Sequence, residues 1–241
     1  MNTRQTLEQM HTLKLQGMAS SYETQLGLTV NHQLGGHELI AHLIQAEKLQ
    51  RTNDRMESLI KNARLRYQAM PETVTCHADR NLSKTTWSTL LEGRYLQDGT
   101  NILVTGSTGT GKSWLSCALG YQACMMGVKT KYFSMHRFVE AILMAKTAGS
   151  YMKFLNQMER IPLIILDDFG LQALNKQTKL ALLEIMEDRY QKKSLIITAQ
   201  MPVSTWHAYL DEPAIADAIC DRLTAKSHRI ALKGPSLRRK K

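Results

Sequence analysis

Eight residues, Gly106-Ser107-Thr108-Gly109-Thr110-Gly111-Lys112-Ser113, constrain the fold of this chain more than any other stretch. They follow an apolar run, Asn101-Ile102-Leu103-Val104-Thr105, and open a segment of helical periodicity from Lys112 to Met126. A G-x-x-x-x-G-K-S/T spacing between a strand and a helix lets backbone amides turn inward around phosphate, and the helix N-terminus adds its positive end. Lys112 is placed to reach the β- and γ-phosphates, and the Ser113 hydroxyl to hold Mg²⁺. A nucleotide is therefore expected along Gly106, Ser107, Thr108, Gly109, Thr110, Gly111, Lys112 and Ser113.

From residue 101 onward, short apolar runs alternate with amphipathic stretches. The runs predict strands at Ile102–Thr105, Thr130–Phe133, Ile161–Leu166, Ser194–Thr198 and Arg229–Leu232, with helices between them. Such alternation predicts an α/β core with a five-stranded parallel sheet covered on both faces. The third strand ends in Asp167-Asp168, at the carboxyl end where open α/β sheets bind ligands. There Asp167 suits Mg²⁺, and Asp168 suits orienting or deprotonating an attacking water. The additional strand between phosphate loop and acid pair sets the architecture apart from kinases and small GTPases. At the tip of the next strand, Gln200 is the first choice to meet the γ-phosphate or the water, with Thr198 the alternative. Arg222, near the end of the last helix, suits an arginine finger reaching a neighbouring subunit. Its bland alternative is helix pairing with Asp217 or Asp221.

The first 70 residues read as helix, one stretch around Leu7–Met18 and a second across Glu38–Leu65, with Gly35-Gly36 between them and Met70-Pro71 closing the second. The expected organisation is a helical domain over residues 1–70, a linker and lead-in over 71–100, a core over 101–233 and a basic tail over 234–241. Net charge is +10, and residues 226–241 hold seven Lys/Arg and no acid. A second basic cluster, Lys48 to Arg66, holds six basic and two acidic residues. Both suit a polyanion, of which nucleic acid is the commonest. Candidate contacts are Lys48, Arg51, Arg55, Lys61, Arg64, Arg66, Arg239, Lys240 and Lys241. The four cysteines lack CxxC spacing and read as reduced thiols. The chain opens without an apolar signal core and holds no bilayer-length apolar run, so a cytoplasmic location is expected.

With the motifs in this order, the chain resembles the IstB-like ATP-binding proteins, transposition helpers of insertion sequences within the initiator and helicase-loader group of AAA+ ATPases. The resembling text is GSTGTGKS, LIILDDFG, IITAQMPVSTWH and IADAICDRLTAKSHRIALKGPSLR, with LKLQGMASSYETQL and LIQAEKLQRTNDRMESLIKNARLR in the helical leader. The resemblance implies a P-loop ATPase core of the AAA+ (ASCE) type, using ATP and Mg²⁺. It implies a homo-oligomer, ring or helical, on double-stranded DNA, and partnership with the transposase of the same element in target selection. It assigns Asp167 and Asp168 as Walker B acids, Gln200 as sensor 1, Arg222 as arginine finger and Arg238 as a sensor 2-like arginine. Two departures stand out. Asp168 occupies a position where most AAA+ proteins carry Glu, so slow turnover is expected. Only nine residues follow the last expected strand, so no full lid domain is expected. The alternative function is a DnaC-like replicative helicase loader. A small-molecule kinase would need an arginine-rich lid, and none is found.

Overall fold

Adjacent residues along a strand face opposite ways, and in the three central strands of the sheet both sets are apolar. The computed structural model describes residues 2–29 and 34–237, so Arg238, Arg239, Lys240 and Lys241 lie outside the described residues. On one side of the sheet, Ile102, Val104, Leu163, Ile165 and Ile196 join one buried cluster. On the other, Leu103, Ile164, Leu166, Leu195 and Ile197 join a second. Strands buried on both faces take a parallel ladder with helices on each side.

Among the described residues the elements run in chain order as follows. The leader holds α1 (Thr3–Thr12), α2 (Gln16–Leu26) and α3 (Gly36–Ala63); then come α4 (Lys84–Leu91) and α5 (Arg94–Asp98). The core continues with β1 (Asn101–Gly106), α6 (Lys112–Met125), β2 (Thr130–Ser134), α7 (Met135–Thr147), α8 (Tyr151–Glu159) and β3 (Leu163–Phe169). It ends with α9 (Lys176–Arg189), β4 (Ser194–Ala199), α10 (Trp206–Leu210), α11 (Pro213–Thr224) and β5 (Ser227–Leu232). The sheet order is β2-β3-β4-β1-β5, every pairing parallel. The strand that separates the phosphate loop from the acid pair in sequence, β2, lies at the sheet edge, and it is β4 that stands between β1 and β3 in space.

The chain divides into two compact units, Met1–Ser58 and Leu59–Lys241. In the first, the expected single helix around Leu7–Met18 is two helices, because Lys14 takes a left-handed φ of 58° and turns the chain. Gly17 falls inside α2, where the Glu47 carboxylate accepts from the Gly17 and Met18 amides at 2.9 and 3.2 Å. Arg51, one turn further along α3, donates to the same carboxylate at 2.7 Å and holds its pKa below the ordinary value. The second expected helix ends at Ala63 and not at Met70, because Arg64 takes a φ of 54° and reverses the chain.

In the second unit, β3 begins two residues later than the apolar run suggests, since Pro162 has no N–H for a ladder. Arg189 is buried at the foot of the sheet, donating to the Met158, Ile161, Pro162 and Ser194 carbonyls at 2.6 to 3.0 Å. Burial lowers its pKa to about 10, which leaves it charged at neutral pH. It ties the entry of β3 to the entry of β4.

A Cβ on Gly17 would sit 2.5 Å from the Ala46 carbonyl oxygen and 2.7 Å from the Glu47 Cα. Gly17→Ala should therefore cost the helical unit about 1–3 kcal/mol by forcing α2 off α3. Urea denaturation followed by circular dichroism should show an early helical transition, with the main core transition unmoved.

Candidate nucleotide site

The phosphate loop is held in shape by its own polar groups. Gly106 and Gly109 have φ of 144° and 87°, open to glycine alone, and a Cβ on either would collide with the Leu232 carbonyl or with Ser236. Thr110 Oγ1 donates back to the Ser107 carbonyl at 2.8 Å. The Lys112 ammonium is buried and donates to the Gly106 and Ser107 carbonyls at 2.8 and 3.0 Å. Arg80 Nη2 braces the outside of the loop through the Thr110 carbonyl at 2.5 Å. The Leu237 amide donates to the Gly109 carbonyl at 2.9 Å, so the segment after β5 lies on the loop.

The acid pair sits on a bulge. Leu166 pairs with Ile197 and Phe169 with Ala199, so β3 carries one residue more than β4 over this stretch. Asp168 takes up that extra residue with a left-handed φ of 64°. Such a bulge re-aims a side chain at the end of a strand, and non-glycine residues in this conformation gather at functional sites. The Asp168 amide donates to Thr198 Oγ1 at 3.1 Å. Asp167 is fully buried. Its Oδ1 accepts from Ser113 Oγ at 2.9 Å and from the Thr198 hydroxyl, and its Oδ2 accepts from the Tyr132 hydroxyl at 2.6 Å. Burial, and then the Asp167 carboxylate, raise the Tyr132 pKa well above its ordinary value, so Tyr132 remains a donor. A serine hydroxyl beside two carboxylates is a hard oxygen set that fits Mg²⁺ completed by phosphate oxygens.

The sequence reading and the structure part company at several side chains. Arg66, expected among the polyanion contacts, has its guanidinium Nη1 3.1 Å from Asp168 Oδ2 and 3.6 Å from Asp167 Oδ2. The reversal at Arg64 brings it there, and charge patterning alone does not encode that turn. Gln200 lies exposed one residue past the end of β4, whereas Thr198, inside the strand, touches both acids. Arg222 pairs with neither Asp217 nor Asp221: Nη2 meets Glu187 on α9 at 2.6 Å and Nη1 meets the Ala218 carbonyl at 2.9 Å. The Arg222 backbone carbonyl accepts from Asn101 Nδ2 at 3.2 Å, which places it beside the entry of β1. That is the end opposite the phosphate loop, about 17 Å away along six residues of strand. Lys48, Arg51 and Arg55 are exposed on α3 at spacings of three and four, on one face; Lys61 and Arg64 are exposed as well. All four cysteines are free thiols. Trp114 is exposed on α6 and packs at a tilt against Tyr67, with ring centroids 5.7 Å apart. None of the helices among the described residues is long and apolar enough to cross a membrane.

A phosphate loop, a bulged acid pair and a strand inserted between them define the ATP-binding core of an AAA+ protein. The family model for IstB-like ATP binding proteins matches residues 8–241, and the chain belongs to that family. It is 38% identical to the insertion sequence ATP-binding protein y4pL of Sinorhizobium fredii, over 97% of this chain and 96% of that one. Identity is also 38% to the ATP-binding protein of insertion sequence IS1162 of Pseudomonas fluorescens, over 85% and 89% of the two chains. Among solved structures, the DnaC helicase loader superposes with a TM-score of 0.59 at 18% identity, over 69% of this chain and 98% of that one, a likeness of fold.

Thr198→Val should leave the buried Asp167 short of one donor and the Asp168 amide unpaired, at a cost of about 1–3 kcal/mol. Thermal denaturation of the valine and serine variants tests this. The serine variant, which keeps the hydroxyl, should melt close to the parent protein.

Proposed function

We propose that this ATPase assembles in its ATP-bound form on double-stranded DNA and presents that DNA to the transposase of its insertion sequence. The observation that carries the assembly half is the position of Arg222. It lies beside the entry of β1, a strand length from its own phosphate loop, so a phosphate it meets must belong to a neighbouring copy. The Glu187 carboxylate now held by Arg222 is the group a γ-phosphate would replace.

In the ATP site, Lys112 leaves the loop carbonyls for the β- and γ-phosphates, and Ser113 and Asp167 hold Mg²⁺. When bound, Mg²⁺ neutralises charge building on the phosphates. Asp168 orients the attacking water, and Gln200, exposed at the end of β4, meets the γ-phosphate. Aspartate is one methylene shorter than the glutamate of most AAA+ proteins, so turnover is slow. Slow turnover suits a protein whose ATP-bound assembly must last long enough to be found by a partner.

DNA contact is assigned to the exposed Lys48, Arg51 and Arg55 face of α3, to Lys61 and Arg64, and to Arg239, Lys240 and Lys241. Arg238, in the same tail, is the proposed sensor 2-like contact. Contacts of this kind go to phosphates and give affinity with little sequence preference. The transposase, and not a replicative helicase, is taken as partner because the relatives of high identity are insertion sequence proteins. The likeness to a helicase loader extends to fold alone.

Binding to random-sequence duplex DNA, measured with no nucleotide, with ADP and with a non-hydrolysable ATP analogue, alongside a sizing experiment, tests the proposal. The analogue alone should drive a large oligomer and tight binding that weakens steeply with salt. A protein that stays small and ignores duplex DNA in every state would overturn the reading. Lys112→Ala should lose nucleotide binding, and Asp168→Ala should bind ATP without turnover and stay on DNA. Arg222→Ala should bind ATP as a monomer and fail to assemble. An Arg222→Ala protein that loses only thermal stability makes Arg222 a helix-pairing residue.

A further inference from the structure

Arg66 is delivered to the acid pair by a built segment. After the reversal at Arg64, Leu65 packs over α6 at Gly120, where an added Cβ would meet Leu65 Cδ2 at 2.8 Å and Ile165 Cδ1 at 2.7 Å. Tyr67 packs at a tilt of 41° against Trp114, whose indole N–H donates to Thr73 Oγ1 at 3.0 Å. Arg66 lies between these two anchored side chains, its guanidinium 5.4 Å from the Tyr67 ring centroid. Its Nη1 is hydrogen-bonded to Asp168 Oδ2 at 3.1 Å and stands 3.6 Å from Asp167 Oδ2. Burial disfavours the charge on Arg66, but the Tyr132 hydroxyl and the surrounding negative charge outweigh it and hold its pKa above the ordinary value. One fixed positive charge therefore faces the two carboxylates that the nucleotide site offers to a metal.

We propose that Arg66 is a positioning residue of the ATPase site: it clasps the Asp168 carboxylate and sets how much Mg²⁺ the site requires before nucleotide is bound tightly. This rests on the reading of the site as one for ATP and Mg²⁺. Two physical effects act in the same direction. The guanidinium charge repels a divalent cation at close range. Its hydrogen bond also occupies an Asp168 oxygen that would otherwise accept from a metal-bound water. Asp167 feels less of this, since its oxygens already accept from Ser113, Thr198 and Tyr132.

The test follows the affinity of the full chain for a fluorescent ATP analogue while Mg²⁺ is titrated, with circular dichroism confirming the fold of each variant. Arg66→Gln keeps a hydrogen-bonding head and removes the charge, and its half-effective Mg²⁺ concentration should fall about tenfold. Arg66→Lys keeps the charge and should stay within about twofold of the parent protein. Arg66→Met, with a stem that still packs on Tyr67, is the second neutral variant should glutamine fail to fold, and it should move with glutamine. Neutral variants with the parent's Mg²⁺ requirement, or a higher one, would overturn the inference while leaving the nucleotide site intact. A parent protein that binds no analogue even at saturating Mg²⁺ would instead overturn the site reading, and the inference with it.

Discussion

The second unit is organised around one buried carboxylate. Asp167 is fully buried, and a buried charge persists only where every lone pair is engaged. Its partners come from four places: Ser113 at the start of α6, Tyr132 on β2, Thr198 on β4 and Arg66 beyond α3. None of these is a neighbour in sequence. The phosphate loop, the sheet order and the turn at Arg64 must all be in place before Asp167 is satisfied, so its solvation penalty couples their folding. The same convergence prepares the site chemically. The hydroxyl and the carboxylate proposed for Mg²⁺ are already bonded to each other, whereas Lys112 still holds the loop carbonyls and Arg66 the second acid.

The β3 bulge is the second constraint, and it makes Asp167 and Asp168 unlike each other. In a regular strand, successive side chains would point to opposite faces. The extra residue lets Asp167 stay in the ladder opposite Ser134 while Asp168, at positive φ, turns to Arg66 and partial exposure. One acid is thus dry and fully bonded, and the other is reachable by water. That division of environments suits the two roles proposed for these identical side chains, one holding metal and one facing water.

These contrasts also mark what the sequence carries and what it hides. The phosphate loop and the strand pattern are local signals, fixed by glycine positions and by a period of two, and the observed β1, β2 and β4 lie within a residue of where those signals place them. Helix ends in the leader were less legible, because Lys14 and Arg64 adopt left-handed backbone without being glycine. The contacts of Thr198 with both acids are not legible in a linear reading, because which way a β4 side chain faces relative to a bulge in β3 is a matter of register between strands. Arg66 counted as one of six basic residues in a run, and only the chain reversal before it converts a surface charge into a site residue. Signals that need two segments at once are the ones a linear reading misses.

Arg222 illustrates how such a two-segment contact bears on function. Its ion pair with Glu187 is partly exposed on both sides, and pairs of this kind contribute about 0–1 kcal/mol. A contact that weak does not lock the arginine. It keeps the guanidinium oriented off α11, with Nη1 anchored on the Ala218 carbonyl, while leaving Nη2 exchangeable. A γ-phosphate offers more charge than one carboxylate and a fork-matched set of oxygens, so under the proposed assembly the exchange of Glu187 for a neighbour's phosphate would run downhill. In the proposed assembly the cost would then fall on ordering two copies and not on freeing the arginine, which is what a weak, pre-aiming pair allows.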